Sequence, residues 1–233
     1  MNDLFIGGFI GFPKLARLNR EATLSEKIDG TNAQVFITPI SKDSQDPSCL
    51  DYWYGPDAST WGIYAGSRTR WIHPGDDNYG FAVWVKANVE ALKKLGPGRH
   101  FGEWWGRGIQ RNYGLTERRF SLFNAGRWVC SQVDSQLPGV YEVKALEDGT
   151  LVTAPGPECC YVVPTIWRGN FDLFDCRAAV EMLRNHGSFA VPGWKTPEGI
   201  VVYHEAAKQS FKVTLVGDES PKSLLTKPEP VRD

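Results

Sequence analysis

Lys27 stands between two carboxylates in the run Glu26-Lys27-Ile28-Asp29-Gly30-Thr31-Asn32. A protonated lysine is a poor nucleophile, with a reference pKa of ~10.4. It becomes an attacking group when burial or a nearby cation lowers that pKa, or when a substrate phosphate and a metal fix its geometry. The plain structural alternative is an exposed lysine beside a turn aspartate and glycine. What decides between them is the set of partners supplied elsewhere in the chain.

An amine that attacks the α-phosphorus of a nucleotide needs cations for the phosphates. It also needs carboxylates to hold a ribose or a metal, and an aromatic face for the base. These residue types occur in separated islands. Ser67-Arg68-Thr69-Arg70 offers guanidiniums for bidentate phosphate or carboxylate contact. Phe101-Gly102-Glu103-Trp104-Trp105-Gly106-Arg107-Gly108-Ile109-Gln110 sets a carboxylate in a Gly-spaced strand and turn. Glu198-Gly199-Ile200-Val201-Val202 puts another at the start of a buried strand, and Phe211-Lys212-Val213 holds a lysine between apolar neighbours.

The elements that must position these islands are mostly short β-type runs rich in β-branched and aromatic residues. They are Gln34–Ile37, Trp61–Tyr64, Phe120–Phe123, Tyr161–Val163, Gly199–Tyr203 and Ser210–Leu215. Two segments have helical spacing. Tyr79 to Leu95 carries Phe81, Val85, Val89, Leu92 and Leu95 and stops at Gly96-Pro97-Gly98; Asp172 to His186 carries Leu173, Val180 and Leu183, with Gly187 as C-cap. Residues 39–60 are polar and turn-rich and read as a long surface loop, and Lys222 onward reads as a loose tail. The pattern is one α+β domain of largely antiparallel sheets with two principal helices.

At 233 residues the chain has ample core for independent stability, and its 42% hydrophobic and 23% charged residues are ordinary for soluble protein. No apolar run approaches the ~18–20 residues that span a bilayer, and Met1-Asn2-Asp3-Leu4-Phe5 lacks the basic and apolar regions of a signal peptide, so a cytoplasmic protein without membrane contact is expected. Five cysteines (49, 130, 159, 160, 176) and four histidines show no Cys-x-x-Cys or His-x-x-x-His spacing, which argues against a disulfide framework or a structural zinc. A net charge of −1 excludes indiscriminate coating of nucleic acid. Between Arg99 and Arg127, however, six arginines face only two glutamates, a local +4, with Phe101, Trp104, Trp105, Tyr113, Phe120 and Phe123 interleaved. Arginine with aromatic side chains suits phosphates and bases, and a solvated face over a sheet core is the alternative.

In order and type, the islands resemble the motifs of the covalent nucleotidyltransferase superfamily of DNA ligases, RNA ligases and mRNA capping enzymes. Glu26 through Asn32 and Phe101 through Gln110 look most like the ATP-dependent RNA ligase branch, over about residues 24 to 215. The resemblance implies an ATP-grasp-like adenylyltransferase domain of antiparallel sheets flanked by helices over residues 1–217. A C-terminal tail would follow at 218–233, with no room for an oligonucleotide-binding-fold or other separate C-terminal domain. It implies ATP and Mg2+ (or Mn2+) as cofactors and RNA ends as partners. By the same resemblance Lys27 would be the adenylylated nucleophile. Glu26 would meet the adenine edge through itself or its backbone, and Asn32 the ribose or the RNA end. Arg68 would contact phosphate or ribose, Glu103 would hold the ribose hydroxyl, and Phe123 would stack on adenine. Glu198 would bind or orient the metal, and Lys212 would touch the α-phosphate.

Two positions depart from that pattern. Family members usually follow the aromatic with an aspartate, where this chain has Asn124, and their last motif is commonly Lys-x-Lys, where this chain has Ser210-Phe211-Lys212. Lys208 is a candidate substitute for the missing lysine if the strand extends that far. The activity implied is ATP-dependent sealing of 5′-phosphate and 3′-hydroxyl RNA ends through lysyl-AMP and adenylylated RNA. DNA ligase, capping-type guanylyltransferase and a non-catalytic nucleotide or RNA-end binder remain as alternatives. A kinase is disfavoured, because neither a Gly-x-x-x-x-Gly-Lys-Ser/Thr loop nor a His-Arg-Asp with Asp-Phe-Gly is present.

Overall fold

The computed structural model describes residues 11–41, 46–129 and 154–217. The expected tail and Cys130 lie outside them. In chain order the strands begin with β1 (Glu21–Lys27), β2 (Thr31–Ile40), β3 (Cys49–Tyr54), β4 (Thr60–Ser67) and β5 (Trp71–Ile72). Two short helices, α1 (Phe81–Ala87) and α2 (Val89–Leu92), precede β6 (Gly98–Gly106), β7 (Arg118–Leu122), β8 (Trp128–Val129), β9 (Ala154–Pro155), β10 (Cys160–Val162) and β11 (Thr165–Asn170). The helix α3 (Leu173–His186) leads into the hairpin of β12 (Gly199–His204) and β13 (Gln209–Thr214).

These elements form a mixed α+β architecture with two principal sheets. One is four-stranded and wholly antiparallel, in the order β11-β1-β12-β13. The other is seven-stranded, running β10-β7-β6-β2-β4-β3 with β5 on β4, and is antiparallel except where β10 pairs with β7. Alternation decides which face of each sheet is buried. In the small sheet Ala22, Leu24, Ile200 and Val202 pack against Ala179, Leu183 and Phe189, while Thr23, Ser25 and Lys27 point the other way. In the large sheet Ala33, Val35, Ile37, Ile63 and Trp104 pack under the helices with Phe81, Val85 and Leu92, leaving Asn32, Arg99, Phe101 and Glu103 on the opposite face.

The helix expected over Tyr79 to Leu95 is broken. Asn88, at φ −117° and ψ 19°, separates α1 from α2, and its side-chain amide donates to the Trp84 carbonyl, giving the chain a local alternative to helix. The helix read from Asp172 to His186 is present with both caps, Asp172 accepting from the Phe174 N–H and Gly187 at φ 89°. The segment 39–60 is corrected: β2 runs to Ile40 and β3 fills Cys49–Tyr54 as an edge strand, with a register shift between Cys49 and Asp51. Among the described residues no helix is long and apolar enough to cross a membrane.

Candidate active site

The turn Ile28-Asp29-Gly30 carries the chain from the small sheet to the large one, so the lysine run spans the junction of the two. Its tightness depends on Gly30. A Cβ there would lie 2.5 Å from the Trp104 carbonyl oxygen, 2.7 Å from Trp105 Cβ and 3.0 Å from Glu103 Cγ. We expect Gly30→Ala to cost about 2–3 kcal/mol, because backbone atoms cannot step aside cheaply. Chemical denaturation measures this, and a loss under ~0.5 kcal/mol would contradict the packing argument. The Asp29 N–H donates to Tyr113 Oη, and Arg111 Nε donates to Asp29 Oδ2 at 2.9 Å while its Nη1 reaches the Thr196 carbonyl. Asp29 is thus a brace between the turn and the segment leading to β12.

Lys27 ends β1 opposite Gly199, and Glu198 sits one residue before β12. Lys27 Nζ donates to Glu198 Oε2 at 2.5 Å, with the carboxylate almost fully buried and the lysine partly exposed. Gly199 lets β13 approach, since a Cβ would fall 2.1 Å from the Val213 carbonyl oxygen. Glu103 on β6 reaches the same point from the other sheet and accepts the Gly30 N–H through Oε1 at 3.1 Å.

Burial pushes the Glu103 carboxyl up to about 7, opposed by Lys27 and the Gly30 N–H and assisted by Glu198 and Asp29. Between the ordinary value of 4.5 and about 7, the folded protein holds a proton that the unfolded chain has released. Stability from this group is therefore full below pH 4.5 and is lost as pH rises through 7, by about 3 kcal/mol. Glu103→Gln keeps the acceptor for Gly30 and removes the titration. In urea unfolding the variant should match wild type near pH 4.5 and exceed it at pH 8; parallel curves across that range would refute the shift.

Glu26 points to the other side of β1. Its carboxylate is 1% exposed and accepts the Ser188 hydroxyl at 2.6 Å and the N–H groups of Phe189 and Ala190 at 2.7 and 2.9 Å. Burial raises its pKa, against those three hydrogen bonds. The side chain is thus committed to anchoring β1 to the segment after α3. Of the two routes expected for Glu26, only its backbone is left to meet a ligand.

Between the sheets lies a cavity of about 980 Å³. Lys27, Glu26, Asn32, Arg68, Glu103, Phe123 and Lys212 all border it. Glu198 is not among the bordering residues and is joined to them by its contact with Lys27. Among the described residues Arg68 and Lys212 make no ion pair, whereas Arg70 is held by Asp76 at 2.6 and 2.9 Å. Phe123 is 41% exposed, and its N–H donates to the Phe101 carbonyl. Lys208 does not border the cavity: it lies in the β12–β13 turn at φ 53°, so it does not replace the lysine missing at Ser210. The Asn124 side-chain oxygen accepts the Arg127 N–H at 3.0 Å, a turn-forming role that needs a carbonyl and not a charge.

The basic, aromatic stretch is divided by the fold. Trp104, Trp105, Tyr113 and Phe120 are buried, Arg111 and Arg119 pair with Asp29 and Glu117, and Arg118 donates to the Tyr79 carbonyl. Arg99, Phe101, Phe123 and Arg127 border the cavity. Sequence reasoning missed Arg168, which enters the cavity from β11, donates to Thr23 Oγ1 at 3.1 Å and has no motif around it to betray it. It also missed Ser188, whose partner lies 162 residues away.

No cluster of three His, Cys, Asp or Glu side chains forms a metal cage among the described residues. Glu198 Oε1 carries no hydrogen bond there, and the Glu103 carboxylate lies on the cleft wall, which Glu205 also borders. Magnesium keeps several waters and takes one or two carboxylates with substrate phosphates, so this donor set fits a cation that arrives with a polyphosphate.

Fold and cleft define an α+β protein with a lysine–carboxylate pair at the junction of two sheets. The chain belongs to the RNA ligase family, whose family model matches residues 20–214. No curated protein matches it. Solved structures of a Naegleria gruberi RNA ligase do. An apo form shares 16% identity at a TM-score of 0.47, covering 84% of this chain and 50% of that one. A form with ATP and Mn shares 18% at 0.49, and one with AMP and Mn 18% at 0.47, each with the same coverage. The chain thus spans about half the length of these structures.

Proposed function

We propose that this protein is an ATP-dependent RNA ligase that captures AMP on Lys27 and uses it to seal 5′-phosphate and 3′-hydroxyl RNA ends. The observation that carries the reading is the placement of Lys27 beside Glu198 and Glu103 in a cation-bordered cleft, in a chain of the RNA ligase family. Solved forms of the Naegleria gruberi ligase hold ATP or AMP with Mn.

In this reading neutral Lys27 Nζ attacks the α-phosphorus. A nitrogen–phosphorus bond forms as the bond to the bridging oxygen breaks, and pyrophosphate leaves. Glu198 Oε2, already in hydrogen-bond contact, takes the proton from Nζ. Lys212 and Arg68 offset the phosphate charge, and Phe123 supplies the stacking face. Glu198 would hold a magnesium or manganese ion, which would supply charge neutralisation at the phosphates. A 5′-phosphate oxygen of RNA then displaces Lys27 from AMP, and Lys27 regains a proton. Attack by the 3′-hydroxyl on that 5′-phosphorus forms the phosphodiester and releases AMP. Asn32 and Glu103 border the same cleft, and in this reading they hold the ribose.

The test is incubation with magnesium and ATP labelled at the α-phosphate, followed by denaturation. Covalently retained label, transferred to 5′-phosphorylated RNA on its addition, is the expected result. Absence of label with either magnesium or manganese overturns the proposal.

A further inference from the structure

On the cleft face of the large sheet, β6 and β2 place three residue pairs in register: Glu103 with Asn32, Phe101 with Gln34, and Arg99 with Phe36. Glu103 and Asn32 belong to the nucleotide site proposed above. The other two pairs lead away from it. Phe101 is 47% exposed although it sits mid-strand, and the sheet's apolar core is on the opposite face, so packing does not require an aromatic there. Beyond it Arg99 sits over an aromatic platform. Its guanidinium carbon is 4.2 Å from the Phe36 ring centre and 5.2 Å from that of Trp71, and the two rings stack at 5.7 Å and 18°. Arg99 Nη1 is fixed by Gln34 Oε1 at 3.0 Å, and Arg99 makes no ion pair with any described acid.

A planar cation held on two rings, with most of its donors free, is pre-oriented for a phosphodiester. An exposed aromatic one step nearer the nucleophile is a stacking platform for a base. From Glu103 to Arg99 the strand covers ~13 Å, the length of about four nucleotides at a stacked rise of ~3.4 Å. We propose that Phe101 and Arg99, the latter seated on Phe36 and Trp71, form the track along which a single-stranded RNA end reaches Lys27. This rests on the ligase reading and adds to it a stretch of the same cavity that takes the polynucleotide, beyond the groups assigned to the nucleotide.

The test measures binding of a fluorescent 5′-phosphorylated single-stranded RNA by anisotropy, with ATP-dependent labelling of the protein in parallel. Phe101→Ala should weaken RNA binding about tenfold or more. Arg99→Ala should weaken it and reduce the salt dependence by about one phosphate contact, a slope change of ~0.7. Arg99→Lys, which keeps charge and loses the planar stack, should recover only part. Covalent labelling from ATP should stay at the wild-type level in all three. Variants that bind RNA like wild type overturn the track, as do variants whose labelling falls in step with RNA binding, since that would place the residues in the nucleotide site. Failure of wild type itself to label overturns the ligase reading instead.

Discussion

A Lys27→Ala protein should retain no covalent nucleotide and should also unfold about 2–3 kcal/mol more easily than wild type. The two losses have different origins. The first follows from removing the only amine at the end of β1. The second comes from Glu198, whose side chain is 5% exposed and whose short contact to Lys27 Nζ is its one ion pair among the described residues. Removing one member of a buried pair leaves the other uncompensated, at about 3–5 kcal/mol for a fully buried pair. The lower figure reflects the 23% exposure of Lys27. A double variant, Lys27→Ala with Glu198→Gln, should regain much of the stability and none of the labelling. Label on Lys27→Ala would mean that the nucleophile lies elsewhere, and unchanged denaturant midpoints would mean that Glu198 is solvated in solution.

Glu26→Ala should be the more damaging to the fold, at about 3–5 kcal/mol, even though its carboxylate faces away from the cleft. It strands the Ser188 hydroxyl and the Phe189 N–H in the buried interior and the Ala190 N–H at its partly buried margin, each buried unpaired donor costing about 1–3 kcal/mol. Glu26→Gln should cost only about 1 kcal/mol, because the amide oxygen can accept the two N–H groups while Ser188 turns to accept from the amide nitrogen. The contrast between Ala and Gln in urea unfolding is the measurement. Equal losses would show that charge, not hydrogen-bond shape, fixes the segment. Labelling should fall with Glu26→Ala as well, since β1 sets where Lys27 emerges.

Which residues would meet in one cleft was more legible in this chain than the framework that brings them there. Lys27, Glu103 and Glu198 converge from three distant islands, and Arg68, Phe123 and Lys212 border the same cavity. Those residues were visible because their types and order match a known pattern. The strand that ends in Lys27 was not visible, because Glu-Ala-Thr-Leu-Ser-Glu-Lys contains little β-branched or aromatic material. It is a strand because β11 and β12 flank it on both sides, information held far along the chain. The edge strand β3 was lost for a different reason. With one neighbour and several exposed residues, it has too little burial to impose an alternating pattern. The arginine-rich stretch was read as suited to phosphates and bases, or else as a solvated face over a sheet core, and pairing of Arg111 and Arg119 with carboxylates divides it. Side-chain partners of that kind leave no mark in local sequence.

The turn from Lys27 to Gly30 joins two sheets that each own a separate apolar core, with a small third cluster of Ile28, Trp105, Tyr113 and Val163 beside it. The cleft is therefore a seam as well as a pocket. A ligand that touches both walls acts as a rivet, adding RT ln(1 + [L]/Kd) to the cohesion between the halves. Occupancy then sets the stiffness of the joint at which Lys27 stands.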